Sequence, residues 1–507
     1  MPVSRRSMLK GALGLSVLPV VGFTGVDILR SPVPPDLFTL GVASGEPSPD
    51  GVVLWTRLAP DPLAGDGLGG MPPRPVDVEW EIAHDQAFTR IAQRGVVTAV
   101  PESAHSVHVE STGLNPGAEY FYRFRVNGDI SPPGRTRTAP APGSMGPTTM
   151  CFASCANFEQ GWFTAYHHLA QENPDLVLHL GDYLYEYGPR DMSVRAHAGP
   201  EIVTLADYRQ RHAQYKTDPD LQAAHAAAPW LVTFDDHEVD NNWAGEIPEN
   251  VEADFRARRV TALQAYWENM PLRASARPRG VDMQLYRRVS WGGLATFHML
   301  DTRQYRTDQA CGDEYRSDCP ERFHPFRSLT GPAQEQWLLN GFQVSQARWD
   351  LLGQQVLFSQ MDLTPGPGRG FNPDAWDGYV PNRDRIAAGM RNVRNAVVLT
   401  GDVHAHWAAE VYERAGDPQS PKVATELVTS SISSGGDGSD TRADAEAILP
   451  ENPHIRYFSN RRGYVRTRIT GDEVRADFRT VPFVTTPGAP VQTGASFVIP
   501  DGDPTLL

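Results

Sequence analysis

The sequence lacks an excess of positive charge, and it lacks an apolar run long enough to cross a membrane. The formal net charge is −15, which argues against a surface for nucleic acids or other large polyanions. Small phosphate substrates are still compatible with this charge, because bound cations can reverse the sign of the local field. The apolar stretch that begins at Gly11 covers about 12 residues, whereas a transmembrane span needs about 20. We therefore expect neither nucleic-acid binding nor a stable membrane span in the mature protein.

Motifs of several well-known phosphate chemistries are missing as well. The chain has no P-loop and no HKD-type pair, and none of its serine or threonine residues lies in a convincing nucleophile elbow. Internal repeats and low-complexity runs are not evident either. These absences give no support to a nucleotide-binding loop, an HKD site or a covalent serine or threonine nucleophile.

The N-terminus has the pattern of an export signal. Arg5 and Arg6 stand before a moderately apolar stretch, which is typical of twin-arginine (Tat) signals. An uncleaved anchor is the alternative, and no Ala-x-Ala site marks a cleavage point. We predict a Tat-type signal segment over residues 1–32, export of the folded protein through the Tat translocon, and a secreted, periplasmic or cell-wall location.

The chain contains only four cysteines. Cys311 and Cys319 flank a polar loop, where a local disulfide is expected in an oxidising compartment and two free thiols are the alternative. Cys151 lies inside an apolar strand pattern and is expected in the core. Cys155 differs because it stands where that strand ends, and we treat it as a candidate ligand.

An all-β segment comes first in the chain. Over residues 36–138 the sequence shows short alternating runs that predict strands. A Pro-Gly turn at residues 116–117 leads into one of these strands. On one face of that strand lie Tyr120, Tyr122 and Phe124. This arrangement resembles the corner of an immunoglobulin-like or fibronectin-like sandwich, in which a tyrosine hydroxyl bonds back to the backbone of the turn.

Strands and helices alternate from residue 148 onward, which indicates an α/β fold. After Asp402 the pattern changes to closely spaced strands with a hairpin turn at 470–472, so we expect a second, mostly antiparallel sheet that packs on the first. Segment 481–507 is rich in proline and glycine, and its structure is not predicted. The predicted strands before Asp402 are 148–154, 175–181, 230–235, 294–301, 355–361 and 395–401, and the predicted helices are 160–172, 204–216, 252–268, 332–350 and 382–392.

Four polar clusters stand at the carboxyl ends of predicted strands. Open α/β sheets bind their ligands just beyond these strand ends, so we expect the clusters to meet in one place. Their thiol, phenol, carboxylate and imidazole groups suggest one shared metal centre. The four clusters are Cys155; Asp182 with Tyr185; Asp235, Asp236, His237 and Glu238; and Asp402 with His404.

The donor types divide into a softer set and a harder set. The thiolate of Cys155, the phenolate of Tyr185 and the imidazole of His404 favour iron or zinc. Asp236 and Asp402 offer carboxylate oxygens, which suit a harder cation. The mixture argues for iron or zinc beside a harder ion.

Asp182 and His237 complete the predicted site. Gly181 lets the chain turn sharply after its strand, so that Asp182 can point over the strand end and bridge two cations. His237 can protonate a leaving group or hold a phosphoryl oxygen. Each residue alone also has an ordinary interpretation, as a helix N-cap, a core residue or part of a solvated loop. The ordered set, rather than any single member, carries the prediction.

The order of these motifs resembles that of the metallophosphoesterases, which include calcineurin-like and purple acid phosphatases. Three departures from their pattern are present. Cys155 replaces the first aspartate, Asp-Asp-His-Glu at 235–238 replaces Gly-Asn-His-Asp/Glu, and Gly-Asp-Val-His at 401–404 replaces Gly-His-x-His. These departures are typical of the alkaline phosphatase D family. Residues 38–47 and 300–306 also resemble that family, as does the Tat-type signal.

The resemblance implies a two-sheet αββα metallophosphoesterase sandwich over residues 148–507, preceded by the all-β domain. It also implies a specific set of ions, with Zn²⁺, Mn²⁺ or Mg²⁺ as substitutes. These are a ferric ion held by Cys155, Asp182, Tyr185 and His404, and one or two calcium ions near Asp182, Asp236 and Asp402.

Three further residues have two interpretations each. Asn157 and Glu186 either lie beside the metal ligands or belong to simple turns. Arg303 is either a phosphate clamp or part of a structural ion pair with Asp301 or another neighbour.

The implied reaction is hydrolysis of a small phosphate ester by metal-activated water or hydroxide. The candidate catalytic residues are His237, Asp236 and Arg303. The motifs do not separate monoesters from diesters, so the first alternative is a phosphodiesterase or phospholipase D-type activity on phospholipid or cell-wall phosphodiesters. The loops at 186–204 and 305–330 are expected to decide between these substrates. A catalytically inactive protein that binds a cell-envelope component is the second alternative.

Overall fold

The computed structural model describes residues 36–507, and the predicted Tat-type segment at 1–32 lies outside the described residues. Within the described range, no helix combines the length and the apolar character that a bilayer crossing needs.

Strands dominate the described part of the chain. In the first part they are β1 (Val42–Ser48), β2 (Gly51–Arg57), β3 (Val76–Ala83), β4 (Ile91–Ala99), β5 (Ser106–Glu110), β6 (Glu119–Val126), β7 (Asp129–Ile130) and β8 (Gly134–Arg137). The strands that follow are β9 (Thr148–Ala153), β10 (Leu176–Leu180), β11 (Pro229–Thr233), β12 (Arg287–Trp291), β13 (Ala295–Met299), β14 (Trp349–Gln354), β15 (Ala396–Thr400), β16 (His406–Tyr412), β17 (Lys422–Val428), β18 (Ile455–Ser459), β19 (Arg462–Ile469), β20 (Glu473–Val481) and β21 (Gln492–Pro500). The α-helices are α1 (Thr164–Gln171), α2 (Leu205–Lys216), α3 (Pro219–Ala227), α4 (Phe255–Asn269), α5 (Gly331–Val344), α6 (Val380–Gly389) and α7 (Ala443–Ile448).

The strands of the N-terminal segment divide between two sheets. Strands β3, β4, β6, β7 and β8 form an antiparallel sheet, and β1, β2 and β5 join a larger sheet through the parallel pairing of β1 with β11. The hydroxyl of Tyr120 accepts a hydrogen bond from the backbone N–H of Asn115 at 2.9 Å, so the predicted contact of a tyrosine corner is confirmed. The immunoglobulin-like identity of the segment stays a prediction, since three of its strands belong to the larger sheet.

The larger sheet has nine strands in the order β21-β20-β19-β9-β10-β11-β1-β2-β5. Its central strands β9, β10 and β11 are parallel, so they end at the same edge. All five residues of β10 are buried, as expected of a parallel strand that is covered on both faces.

The second sheet has seven strands in the order β12-β13-β14-β15-β17-β16-β18. The predicted strand at 355–361 is wrong, because the strand in this part of the chain is β14 at Trp349–Gln354, whose first two residues the prediction placed at the end of the helix 332–350. The charged Asp350 interrupts the apolar pattern by which a buried strand is recognised, since charged residues are rarely fully buried unless they are paired. Its carboxylate is 2.8 Å from the ring nitrogen Nε2 of His298 on β13.

The strands after Asp402 do not form one sheet, so that expectation is wrong as well. Strands β16, β17 and β18 complete the second sheet, whereas β19 pairs with β9 and extends the first sheet together with β20 and β21. Val465 of β19 lies opposite Phe152 of β9, a partner that is distant along the chain. The unassigned segment 481–507 contributes β21.

The two sheets pack face to face between two layers of helices. Leu178 of the first sheet shares a buried apolar cluster with Phe297 and Val397 of the second. Helices α1 to α4 cover the outer face of the first sheet through residues such as Tyr166 and Tyr266, and α5 and α6 cover the second. The result is a mixed α/β fold in the order helix, sheet, sheet, helix.

Candidate metal centre

The predicted ligand residues converge at one end of the sandwich. Cys155 follows β9, Asp182 follows β10, Asp235 and Asp236 follow β11, and Asp402 follows β15. Strands β9, β10 and β11 are neighbours in one sheet and β15 belongs to the other, so side chains from both sheets meet. Within the described residues, three sets of ligand atoms each lie within 4.8 Å of one another: those of Cys155, Asp182 and His404; of Asp182, Asp236 and His237; and of Asp235, Asp236 and Asp402.

Four of these residues leave their strands in the left-handed backbone conformation. The angle φ is 61° at Cys155, 53° at Asp182, 57° at Asp402 and 55° at His404. Residues other than glycine rarely adopt this conformation. Such strain persists where the surrounding contacts over-determine it, and it is frequent at functional sites.

One side of the centre consists of Cys155, Tyr185 and His404, and we call it the thiol–phenol side. The Tyr185 hydroxyl donates to Asp182 Oδ2 at 3.0 Å and lies 3.1 Å from His404 Nε2. The hydroxyl of Ser434 donates to that of Tyr185 at 2.7 Å. Because Asp182 Oδ2 and His404 Nε2 are only 3.9 Å apart, the donor atoms face one another.

Burial disfavours the anionic forms of the thiol and the phenol. Burial, followed by the charges of Asp182 and Asp402, raises the pKa of the Cys155 thiol well above its usual value. Burial, Asp182 and Cys155 have the same effect on the pKa of the Tyr185 phenol. A thiolate and a phenolate are stable here only beside a cation, which favours the deprotonated forms of its ligands.

The other side consists of Asp235, Asp236 and Asp402, and we call it the carboxylate side. A fully buried arginine, Arg303, supports it. Its Nε donates to Asp235 Oδ1 at 2.5 Å, and its two terminal nitrogens each donate to a carboxylate oxygen of Asp374 at 2.8 Å. Burial by itself would raise the pKa of Asp236, but the Arg303 guanidinium holds that pKa below its usual range.

Buried carboxylate oxygens in the centre test whether these residues fit metal ions. Among residues 36–507, the atoms Asp182 Oδ1, Asp235 Oδ2 and Asp236 Oδ1 have no hydrogen-bond partner. Buried polar atoms normally have one, because an unpaired atom costs free energy. The donor set fits metal ions: oxygen ligands alone suit a hard cation, and sulfur, phenol and imidazole suit iron or zinc.

His237 has a defined orientation beside both sides. Its Nδ1 is 2.7 Å from Glu186 Oε2, and its ring centroid is 4.1 Å from that of Tyr185. Burial lowers the pKa of His237, but Glu186 and Asp236 outweigh it and raise that pKa well above its usual value. Glu186 therefore lies next to a candidate catalytic residue, whereas the other weaker candidate, Asn157, makes a turn contact with the backbone two residues on.

Arg303 takes the second of its two predicted roles. Its side-chain hydrogen bonds go to Asp235 and Asp374, so the guanidinium is engaged in ion pairs rather than free to clamp a phosphate. Asp301 is not its ion-pair partner. The carboxylate of Asp301 instead accepts the backbone N–H of Arg303 at 3.1 Å.

Three supporting residues were not assigned a role from the sequence. Asp374 accepts from Arg303 and Arg306, and it lies in a loop rich in proline and glycine that shows no strand-end pattern. Ser434 lies in the polar run after β17, which is parallel to β15, so the same strand-end rule could have found it. Glu238 belongs to a predicted cluster, but its partners are visible only in the fold.

The predicted disulfide between Cys311 and Cys319 is present. Its loop borders the carboxylate side through Asn242. The side-chain amide of Asn242 donates to Asp313 Oδ2 at 2.7 Å, and its backbone N–H donates to Asp236 Oδ2 at 2.8 Å. The loop is thus connected to a candidate metal ligand by two hydrogen bonds.

Comparisons of sequence agree with this geometry. A family model described as PhoD-like phosphatase matches residues 150–478, and the model of the PhoD-like phosphatase N-terminal domain matches residues 28–140. Alkaline phosphatase D of Bacillus subtilis (strain 168) is 50% identical to this chain over 514 residues, which cover 97% of this chain and 87% of the relative.

Comparisons of structure agree as well. A structure of PhoD matches with a TM-score of 0.90 at 50% identity, covering 93% of this chain and 92% of that one. The purple acid phosphatase PPD1 from seeds of yellow lupin (Lupinus luteus) matches with a TM-score of 0.54 at 14% identity, covering 91% of this chain and 73% of that one, which shows a shared fold alone. The chain therefore belongs to the PhoD-like phosphatase family.

Proposed function

We propose that this phosphatase hydrolyses phosphate esters at a centre that holds a ferric ion and one or two calcium ions. The observation that carries the proposal is the convergence of thiol, phenol, imidazole and carboxylate donors around buried oxygens that have no protein partner. Membership of the PhoD-like family supports the type of reaction.

Two cation positions follow from the division of the donors. Asp182 shares one ligand group with Cys155 and His404 and a second with Asp236 and His237. It therefore suits the bridge between the two cation positions. Zn²⁺, Mn²⁺ or Mg²⁺ can substitute where the ligands accept them. We assign the ferric ion to Cys155, Asp182, Tyr185 and His404, and calcium to Asp182, Asp236 and Asp402.

The bound cations would neutralise charge on the phosphoryl oxygens and lower the pKa of the attacking water. The protein contributes positioning and a proton. Arg303 keeps Asp236 ionised and ready to bind a cation. The leaving alkoxide needs a proton, and His237 is the donor that we assign, since Glu186 holds its Nδ1 and leaves Nε2 for the substrate.

Phosphodiester hydrolysis is the second candidate activity. A cavity of about 410 Å³ is lined by residues that include Asn157, Arg190 and Gly435. Asn157 is two residues beyond Cys155, and Gly435 follows Ser434, so the cavity lies next to the thiol–phenol side. It offers room for the second substituent of a phospholipid or cell-wall phosphodiester.

We also propose that the folded protein is exported through the Tat translocon and acts outside the cytoplasm. The pair Arg5 and Arg6 and the disulfide of the loop support an oxidising destination. In cell fractionation we expect the protein outside the cytoplasm and the double variant Arg5→Lys with Arg6→Lys inside it. Equal distribution of the two proteins would contradict Tat export.

Assays of metal-analysed protein on p-nitrophenyl phosphate and bis-p-nitrophenyl phosphate test the activity. We expect hydrolysis, and the ratio of the two rates measures the preference for monoesters or diesters. Asp236→Asn should lose most of the activity, whereas Asp175→Asn should keep it, because Asp175 precedes β10 and accepts the backbone N–H of Thr149 at the opposite end of that strand from Asp182. Protein that holds both metals and hydrolyses neither ester would contradict the proposal and favour the envelope-binding role.

A further inference from the structure

A single buried carboxylate joins two of the loops that carry metal ligands. Glu238 is 1% exposed. Its Oε2 accepts the backbone N–H of Asp182 at 3.1 Å and that of Asp235 at 2.9 Å, and its Oε1 accepts the backbone N–H of Tyr183 at 2.6 Å. Asp182 and Tyr183 follow β10, whereas Asp235 follows β11, so Glu238 connects the ends of neighbouring strands.

The backbone at these strand ends needs such an acceptor. Asp182 adopts the left-handed conformation, so it leaves the hydrogen-bonding pattern of the sheet while its amide is still buried. A buried N–H without a partner destabilises the fold. The two loops are also in close contact: a Cβ on Gly181 would lie 2.4 Å from the Cβ of Asp235, so only glycine allows this approach.

We propose that Glu238 is a positioning residue that holds the loops after β10 and β11 together, so that Asp182 and Asp236 are preorganised for both cation positions. Asp182 is held through its own N–H, and Asp236 through that of the preceding Asp235. The three hydrogen bonds of Glu238 come from backbone N–H groups, and Glu238 belongs to none of the three candidate ligand sets. The inference rests on the metal centre of the proposed function, but not on which ions bind or which ester is cleaved.

A second buried glutamate offers a matched control. Glu426 is 0% exposed, and it also accepts three hydrogen bonds. The donors are the N–H of Phe358 at 2.8 Å, the N–H of Ser359 at 2.7 Å and the hydroxyl of Thr400 at 2.6 Å. None of these donors is a proposed ligand, and none lies in the loops after β10 and β11. The same substitution there therefore removes three hydrogen bonds of a buried carboxylate without acting on the two loops that Glu238 joins.

The experiment compares Glu238→Met with Glu426→Met in the full chain. Melting temperatures and the affinities for iron and for calcium are measured, the latter by mass spectrometry after equilibration with buffered metal. We expect both variants to melt at similarly reduced temperatures and only Glu238→Met to lose affinity for both ions, by about tenfold or more. Wild-type metal affinity in Glu238→Met would overturn the inference, and so would equal loss of metal in Glu426→Met.

Glu238→Gln keeps the test decisive if Glu238→Met does not fold. Its amide oxygen can replace Oε2 and accept from Asp182 and Asp235, while its NH₂ group opposes the N–H of Tyr183. We expect a folded protein with a smaller loss of affinity for both ions. Wild-type affinity for both ions, or failure to fold with the bridging oxygen retained, would overturn the inference. Because metal binding is measured without substrate, a wild-type protein that binds both ions but cleaves no ester would contradict the proposed function alone.

Discussion

The two sides of the metal centre compensate buried charge by different means. On the carboxylate side the protein supplies its own cation, since Arg303 is fully buried between Asp235 and Asp374. On the thiol–phenol side, as far as the described residues show, the hydrogen-bond partners of the sulfur and the phenol oxygen are hydroxyl, imidazole and carboxyl groups. The Sγ of Cys155, for example, lies 3.1 Å from the hydroxyl of Ser154. The buried guanidinium of Arg462 lies near this side, but it donates to Ser431 and Ser434 rather than to Cys155 or Tyr185.

This difference implies that the two sides depend on metal ions to different degrees. The carboxylate side is compensated in part as soon as the chain folds, because the ion pairs of Arg303 need no bound metal, whereas burial and the neighbouring carboxylates raise the pKa of Asp402 on the same side. Burial and neighbouring carboxylates raise the pKa values of Cys155 and Tyr185, so these groups release their protons when a cation binds. We therefore expect folding to compensate part of the charge on the carboxylate side, and metal binding to compensate the rest on both sides.

Arg303→Met should have the largest effect, because it leaves the buried carboxylate of Asp235 unpaired and Asp374 with its pair to Arg306. Breaking a buried ion pair by removing one partner costs about 3–5 kcal/mol. We expect the free energy of unfolding in urea to fall by this amount with or without metal. Arg385→Met, which breaks a more exposed pair with Glu335, should cost about 1 kcal/mol at most. Equal free energies of unfolding for Arg303→Met and Arg385→Met would contradict the claim that Arg303 compensates buried charge on the carboxylate side.

Cys155→Ala should reduce the affinity for iron and leave that for calcium nearly unchanged. Loss of a thiolate ligand should weaken iron binding by at least about tenfold. Mass-spectrometric metal analysis of the natively exported protein checks this. Cys151→Ala is the control, because Cys151 is also buried and free but lies inside the strand. Equal losses of iron and calcium would contradict the assignment of separate positions.

Tyr185→Phe should abolish a visible charge-transfer band between phenolate and Fe(III), at a smaller cost in iron affinity than the loss of the thiolate. Absorption spectra at matched iron content measure this. Tyr183→Phe is the control, since its hydroxyl contacts His225 in the core and should leave the band intact. Persistence of the band in Tyr185→Phe would show that another group is the phenolate ligand.

Glu186→Gln should have the smallest effect, because it acts on the proton donor and on neither side of the centre. General acid catalysis contributes about 10²- to 10⁴-fold, and we expect the variant to lose roughly tenfold on alkyl phosphates, whose leaving groups need a proton. The rate on p-nitrophenyl phosphate, which has a good leaving group, should change little. Glu172→Gln is the control, because Glu172 pairs with Arg466 on β19 and Arg479 on β20, away from His237. Equal slowing of both substrates would contradict the role of His237 as proton donor.

The sequence predicted the convergence of the candidate ligand residues because their signal is local. An apolar run followed by polar residues marks a strand end, and parallel strands place their ends at one edge of a sheet. Cys155, Asp182, Asp236 and Asp402 were all recognised in this way before their convergence was visible. The tyrosine corner was equally local, since Tyr120 contacts a backbone group only five residues away.

The predictions of strand position and sheet membership were wrong where a residue or a strand pairs with a partner that is distant along the chain. Asp350 lies in a buried strand because His298 pairs with it across the sheet. Strand β19 belongs to the first sheet because it pairs with β9, which comes much earlier in the chain. No local pattern contains these partners.

Sequence alone therefore determined which donor groups are available and at which strand ends they stand, because donor chemistry is a property of residue type. Tertiary structure decided how their charges are compensated. Arg303 is an ion-pair partner rather than a clamp only because Asp374, 71 residues further along the chain, is folded against it. Glu238 joins two loops only because β10 and β11 are neighbours. Desolvation and pairing depend on which groups are close in space, and the fold alone brings those groups together.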